Sequence, residues 1–308
     1  MSAIVCDRVR REFGTTVALD DVTLRVDKHQ IFGLLGPNGS GKTTLLNQIQ
    51  GLDRPTAGTV EVLGLDPVAH HAELVHRMGS QHQESTSLPR LTVRETVSLF
   101  ASFYPTARDP DELIDALSLT DKAHSRVESL SGGQRQRVFI ALALLHDPEL
   151  LLFDELTSAL DPNIKRTVWD ILSGLRAEGH TILLTTHSME EAHALCDRVA
   201  IMDRGHILAA GTPADLVAEF TSGSALHIPR SVSLTRAQLL GVEGVREVHD
   251  NQDTYTITGD GDLITRVAAA LLAAGDSLHG MRQEEPTLEE VFMNLTGREI
   301  AEPGEGRP

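Results

Sequence analysis

The sequence predicts an α/β fold with a mostly parallel core sheet and a small C-terminal α/β domain. Three observations predict it. Short apolar runs alternate with helix-length stretches over the first 220 residues. One run, Ile31–Leu35, feeds a glycine-rich turn and then a helix-like segment. After Thr221-Ser-Gly-Ser224, which reads as a linker, a smaller strand–helix pattern begins again.

The elements follow in order. Ile4–Val9 is short and apolar, and Val22–Val26 alternates as a half-buried strand does. Ile31–Leu35 is continuously apolar, as a fully buried strand is. A helix over Lys42–Gln50 stops at Gly51. Thr92 and Glu95 form a Thr-x-x-Glu capping box that opens a helical stretch to about Leu119. A second helix starts at Ser131 and runs to about His146. Leu150–Phe153 and Thr181–Thr186 are further buried strands, and Ser188 with Glu191 forms the capping box of the next helix. Val199–Met202, a turn at Asp203-Arg-Gly205, and Ile207–Ala210 read as a hairpin. Thr212-Pro213 starts a helix to Phe220, with proline at its first position. Residues 225–297 read as strand, helix (235–241), strands (245–249 and 254–258), helix (261–274), strand and helix, and 298–308 as a loose tail.

Composition narrows the function. The chain has 308 residues, is 41% hydrophobic, and carries 27 Lys and Arg against 44 Asp and Glu, a net charge of −17. No basic patch stands out, so no nucleic-acid partner is expected. Cys6 and Cys196 have neither metal nor disulfide spacing and suit a reducing compartment. The longest apolar runs, Val138–Leu145 and Val267–Ala274, fall far short of the roughly 20 residues a membrane-spanning helix needs. Any membrane role is expected to come through a partner. His70, His71, His76 and His82 cluster in sequence but are read as solvated surface, and Trp169 as part of a packed helix face.

Gly36-Pro37-Asn38-Gly39-Ser40-Gly41-Lys42-Thr43 fits a phosphate cradle, with Thr44 following. Its glycines let backbone N–H groups turn inward, and the helix start supplies further donors and a partial positive charge. Lys42 would reach the β- and γ-phosphates of ATP, and Thr43 would place a hydroxyl on Mg²⁺. Leu150–Glu155 carries two acids to the end of an apolar strand, the edge of a parallel sheet where ligands bind. Asp154 would hold Mg²⁺, and Glu155 would polarise the attacking water as general base. His187 ends the next strand, where an imidazole could bridge the γ-phosphate and the catalytic region.

Leu130-Ser131-Gly132-Gly133-Gln134 is the most specific segment, and it resembles the signature motif of ABC transporter ATPases. The resemblance covers residues 4 to about 220. It implies a P-loop NTPase fold over residues 1–221 with an antiparallel β subdomain and a helical subdomain over about 84–146. It also implies two copies paired head to tail, each Ser131-capped helix facing the other copy's phosphate loop, at the cytoplasmic face of the cell membrane. On the same resemblance Phe13 would stack on adenine, and Ser158-Ala-Leu-Asp161 would cross the dimer interface. Gln83 would touch Mg²⁺ and relay to the membrane partner, with Gln81 as the rival assignment. Leu156 departs from the family, which has proline there, so less bending is expected at that strand end. Residues 286–299 resemble the ending of drug-export ATPases of the daunorubicin/doxorubicin type. That ending implies export of a lipophilic compound through a separate transmembrane permease subunit. A non-transport ATPase of the same superfamily and a small-molecule kinase are the alternatives.

Overall fold

The computed structural model describes residues 1–81, 90–158, 160–221, 225–251, 253–259, 262–284 and 286–297. The chain divides into two compact units, Met1–Pro213 and Ala214–Glu299.

In the first unit, β1 (Ser2–Phe13), β2 (Thr16–Asp27) and β4 (Ala57–Val62) form an antiparallel sheet in the order β2-β1-β4. The main sheet contains β3 (Ile31–Leu35), β5 (Met78–Gln81), β6 (Leu150–Asp154), β7 (Thr181–Thr186), β8 (Arg198–Asp203) and β9 (His206–Gly211). Its order is β5-β6-β7-β3-β8-β9, parallel throughout except for the β8–β9 hairpin. Every residue of β3, β6 and β7 is buried, which is why their middles read as apolar runs, with Asp154 ending β6 and Thr185 and Thr186 ending β7. One core joins the two sheets, with Ile4, Val9 and Leu24 packed in the same cluster as Phe32, Leu46, Leu152 and Met202. Burying each such side chain contributes roughly 1.5–3 kcal/mol. The two thiols, Cys6 and Cys196, are free and buried, and burial alone pushes Cys6 up to about 12.

Helix α1 (Lys42–Ile49) follows β3, and a short α2 (His71–Leu74) precedes β5. The helical stretch expected from Thr92 to Leu119 is two helices, α3 (Val93–Ala101) and α4 (Pro110–Ala116). Prolines explain the break: Pro105 has no N–H to give the Ala101 carbonyl, so α3 does not continue, whereas Pro110 suits a first helical position and Asp109 caps α4 ahead of it. The Thr92–Glu95 capping box is formed as read. Helix α5 (Gly132–Leu144) packs with α3 and α4. Helices α6 (Pro162–Ala177) and α7 (Met189–Leu195) flank β7 in sequence. Cys196 is the residue that caps α7 and not a member of the helix.

The second unit opens in α8 (Pro213–Phe220). Strands β10 (Ala225–Pro229), β11 (Val245–Asp250), β12 (Thr254–Gly259) and β13 (Arg282–Glu284) alternate with α9 (Arg236–Leu240), α10 (Leu263–Ala273) and α11 (Leu288–Thr296). The order β11-β12-β10-β13 is antiparallel between all neighbours, a split βαβ arrangement of the ferredoxin-like kind. Leu226, Ile228, Leu239, Val248, Ile257, Leu263, Val267 and Leu271 form its own core.

Candidate active site

Strand ends put the chemistry together. In the parallel sheet, the C-terminal ends of β3, β6 and β7 lie side by side, and Asp154 pairs in register with Thr185. The phosphate-loop segment leaves β3, the acid pair leaves β6, and His187 leaves β7.

Gly41 caps α1 at φ +108°, and a Cβ there would lie 2.7 Å from the Ala18 carbonyl oxygen, so only glycine fits this turn. No side chain caps α1, which leaves its first amides available to an anion. The Ser40 hydroxyl is buried in the loop without a hydrogen-bond partner. Lys42 is 5% exposed, and its Nζ donates to the carbonyl oxygens of Gly36 (2.8 Å) and Pro37 (3.2 Å). Burial pulls the lysine pKa down, and the carboxylates of Glu155 and Asp154 oppose that shift.

Thr43 Oγ1 donates to Asp154 Oδ2 at 3.1 Å, and Thr185 Oγ1 donates to Asp154 Oδ1. A hydroxyl and a carboxylate side by side are hard oxygen donors, the set that Mg²⁺ takes alongside phosphate oxygens. Glu155 stands at φ +50°, so the chain turns sharply straight after β6, even without proline at Leu156. Its N–H donates to the carbonyl (3.2 Å) and hydroxyl (3.1 Å) of Thr185. Glu155 Oε1 lies 3.6 Å from His187 Nδ1 and 3.7 Å from Lys42 Nζ. The His187 ring, and behind it the Lys42 ammonium, hold the Glu155 carboxyl below its usual range.

A cavity of about 570 Å³ opens beside these groups. Asn38, Gly39, Gly41, Lys42, Thr43, Thr44 and Glu155 line it, facing Thr16–Ala18, Arg204 and Gly205. Phe13 does not line it; the ring is half exposed, with the Arg11 guanidinium 4.4 Å from its centroid and Arg11 paired to Asp53. Ser131, Gly132, Gly133, Gln134 and Asp161 do not line it either. Ser131 and Gln134 close the capping box at the start of α5. Asp161 caps α6, accepting from the amides of Asn163 and Ile164. Gln83 lies outside the described residues. Its rival Gln81 is buried and donates to Gln136 Oε1 at 2.9 Å.

The expected Ser188–Glu191 capping box is only half formed. Ser188 Oγ accepts from the Glu191 amide, but the Glu191 carboxylate turns inward and accepts from Thr157 Oγ1 (2.5 Å) and Trp169 Nε1 (3.0 Å). Sequence reasoning missed Thr185, Thr157, Gln136 and Glu191. Two polar residues closing the otherwise apolar Ile182–Thr186 run were the available signal for Thr185.

A family model described as ABC transporter matches residues 19–158. The chain is 35% identical over 308 residues to the Nod factor export ATP-binding protein I of Rhizobium etli, covering 97% of this chain and 95% of that protein. It is 36% identical over 306 residues to a daunorubicin resistance ATP-binding protein of Streptomyces coeruleorubidus, covering 96% of each. An ATP-binding cassette solved as a dimer in a post-hydrolysis state with ADP and Pi matches at TM-score 0.61 and 29% identity, over 68% of this chain and 98% of that one. With the Gly36–Thr44 loop, the Asp154–Glu155 pair and His187 gathered at one sheet edge, and with relatives matched over nearly the whole chain, the protein belongs to the ABC transporter family, as an ATP-binding and ATP-hydrolysing subunit of the exporter type.

Proposed function

We propose that the chain binds Mg²⁺ and ATP at the Gly36–Thr44 loop and works as a head-to-tail pair, each copy's Ser131-capped helix completing the other's site. The observation that carries this reading is the split between the two halves of the chemistry. Lys42 and His187 both face Glu155, and Thr43 bonds Asp154 next to it, whereas the Ser131–Gln134 helix start takes part in none of these contacts. A helix start with two glycines is an anion site, so it suits a γ-phosphate presented by a second copy. The solved dimeric cassette with ADP and Pi supports the pairing.

Thr43 and Asp154 would hold Mg²⁺, which neutralises phosphate charge when bound. Lys42 places its ammonium on the β- and γ-phosphate oxygens. Glu155 accepts a hydrogen bond from the attacking water while His187 fixes the γ-phosphate side of the site. The water oxygen bonds to the γ-phosphorus as one of its protons passes by way of Glu155 to a phosphate oxygen, the bond to the β–γ bridging oxygen breaks, and ADP leaves with that electron pair, giving ADP and inorganic phosphate. Gln83 and Asp161 are assigned to the Mg²⁺ side and to the dimer interface, and Phe13 to the adenine.

Among the described residues no helix is long and apolar enough to cross a membrane. In this reading the cycle energises a separate transmembrane permease from the cytoplasmic face, which the export relatives support. Relatives that export Nod factor or confer daunorubicin resistance support a lipophilic cargo. The test is Glu155→Gln with Mg²⁺ and ATP. The variant is expected to hydrolyse at least a hundredfold more slowly and to run as a nucleotide-loaded dimer in size exclusion. Normal turnover, or a monomer under every nucleotide condition, would remove the reading.

A further inference from the structure

Glu155 is neither glycine nor asparagine, yet it sits at φ +50°, a conformation that costs energy for an L side chain. No proline follows to shape the turn, because Leu156 stands next. The turn's own backbone bond, from the Ser158 amide to the Glu155 carbonyl, is long at 3.3 Å. The Ser158 hydroxyl also donates to that carbonyl, at 3.1 Å, and Thr185 anchors the Glu155 N–H. Leu156 and Thr157, between these bonds, are held by contacts from outside the turn.

Two helices supply those contacts. Gln136 on α5 donates from Nε2 to the Leu156 carbonyl oxygen at 2.7 Å, and its own Oε1 is fixed by Gln81 Nε2 at 2.9 Å. Glu191 on α7 accepts the Thr157 hydroxyl at 2.5 Å, and Trp169 Nε1 on α6 steadies the same carboxylate oxygen at 3.0 Å. Glu191 is 3% exposed, so its position is set by these partners and not by solvent.

We infer that Gln136 and Glu191 are positioning residues: they strap Leu156 and Thr157 and so hold the left-handed turn that aims the Glu155 carboxylate. The inference rests on the reading of Glu155 as the residue that polarises water. Its consequence is directional. Gln136 rides one turn into the same helix whose start is Ser131, so a displacement of that helix pulls on the peptide next to Glu155. Glu191 lies one turn past His187, so the histidine and the carboxylate it faces are fixed to one helix start. Hydrolysis is thereby tied to how the signature helix is seated, while nucleotide binding at the Gly36–Thr44 loop is not.

The experiment measures single-turnover hydrolysis and ATP affinity in the full chain with Mg²⁺ and ATP. Thr157→Val, which removes only the hydroxyl, is expected to slow hydrolysis about tenfold or more with ATP affinity within about twofold. Thr157→Ser restores the rate. Glu191→Gln keeps an acceptor oxygen for both donors and keeps the rate, whereas Glu191→Leu falls as Thr157→Val does. The double variant Thr157→Val with Glu191→Leu is no slower than the slower single one, as expected of two ends of one contact. Gln136→Leu slows hydrolysis with the same unchanged affinity. Parent rates in Thr157→Val and Glu191→Leu would overturn the inference. So would a parallel loss of rate and affinity that Thr157→Ser and Glu191→Gln fail to rescue. Glu155→Gln separates the two levels: if it is slow while Thr157→Val is not, only the straps fail, and if it turns over normally, the reading of Glu155 itself fails.

Discussion

Glu155 carries its charge in a wall that also holds a lysine and a histidine, and its pH behaviour follows from them. Its folded pKa lies below the ordinary value of 4.5, so the folded chain binds fewer protons there than the unfolded one. The stabilisation is fully present above pH 4.5 and is lost as pH falls through the lowered value. Denaturant unfolding at a series of pH values is therefore expected to show a parent-minus-Glu155→Gln difference that is flat near neutrality and shrinks in acid. Lys42→Ala removes the ammonium from the cradle, and ATP affinity is expected to fall at least about tenfold, read by nucleotide titration. At this scale the sequence was informative wherever a spacing rule existed. Lys42, Thr43, Asp154, Glu155 and His187 could be named because motif chemistry fixes their order along the chain. Thr185 and Glu191 could not, since a threonine in a strand and a glutamate in a helix start have ordinary local reasons to be there. Their partners, Asp154 and Thr157, lie 31 and 34 residues away.

Elements were legible where a terminus had a side-chain signal. The capping boxes at Thr92 and Ser131 are both formed, because two side chains three residues apart satisfy each other locally. The box at Ser188 is half formed because a buried tertiary partner outcompeted the local one for Glu191. Strands β4 and β5 escaped notice. Ala57–Val62 begins with three exposed residues, and Met78–Gln81 is only four residues long. Two outcomes belong to α5. Ser131→Ala removes the acceptor of the Gln134 amide and is expected to cost about 1 kcal/mol, seen as a lower unfolding midpoint. Gly133→Ala would place its Cβ 2.1 Å from Ile164 Cγ2, forcing α5 and α6 apart at a cost of about 1–3 kcal/mol. Ile164→Ala is expected to recover part of that loss in the double variant.

The whole molecule is two units with separate cores; the sequence suggested a restart of strand–helix alternation after Ser224, whereas the division falls earlier, after Pro213, so that α8 goes with the second unit. The sequence did not show that neighbouring strands in the second unit all run antiparallel, because a split βαβ order depends on which strand slips between two others. Separate cores predict separable unfolding. Ile257→Ala, in the second core only, is expected to cost about 2–5 kcal/mol and to lower one calorimetric transition while leaving the other in place. The two native thiols sit inside the first unit, and burial makes both poor nucleophiles by keeping them protonated. The parent sequence is thus already a silent background for maleimide chemistry. One cysteine introduced at an exposed site such as Glu178 would take a spin label or fluorophore alone, and a doubly labelled pair could report the separation of two copies through a turnover cycle without first stripping the protein of its own sulfur.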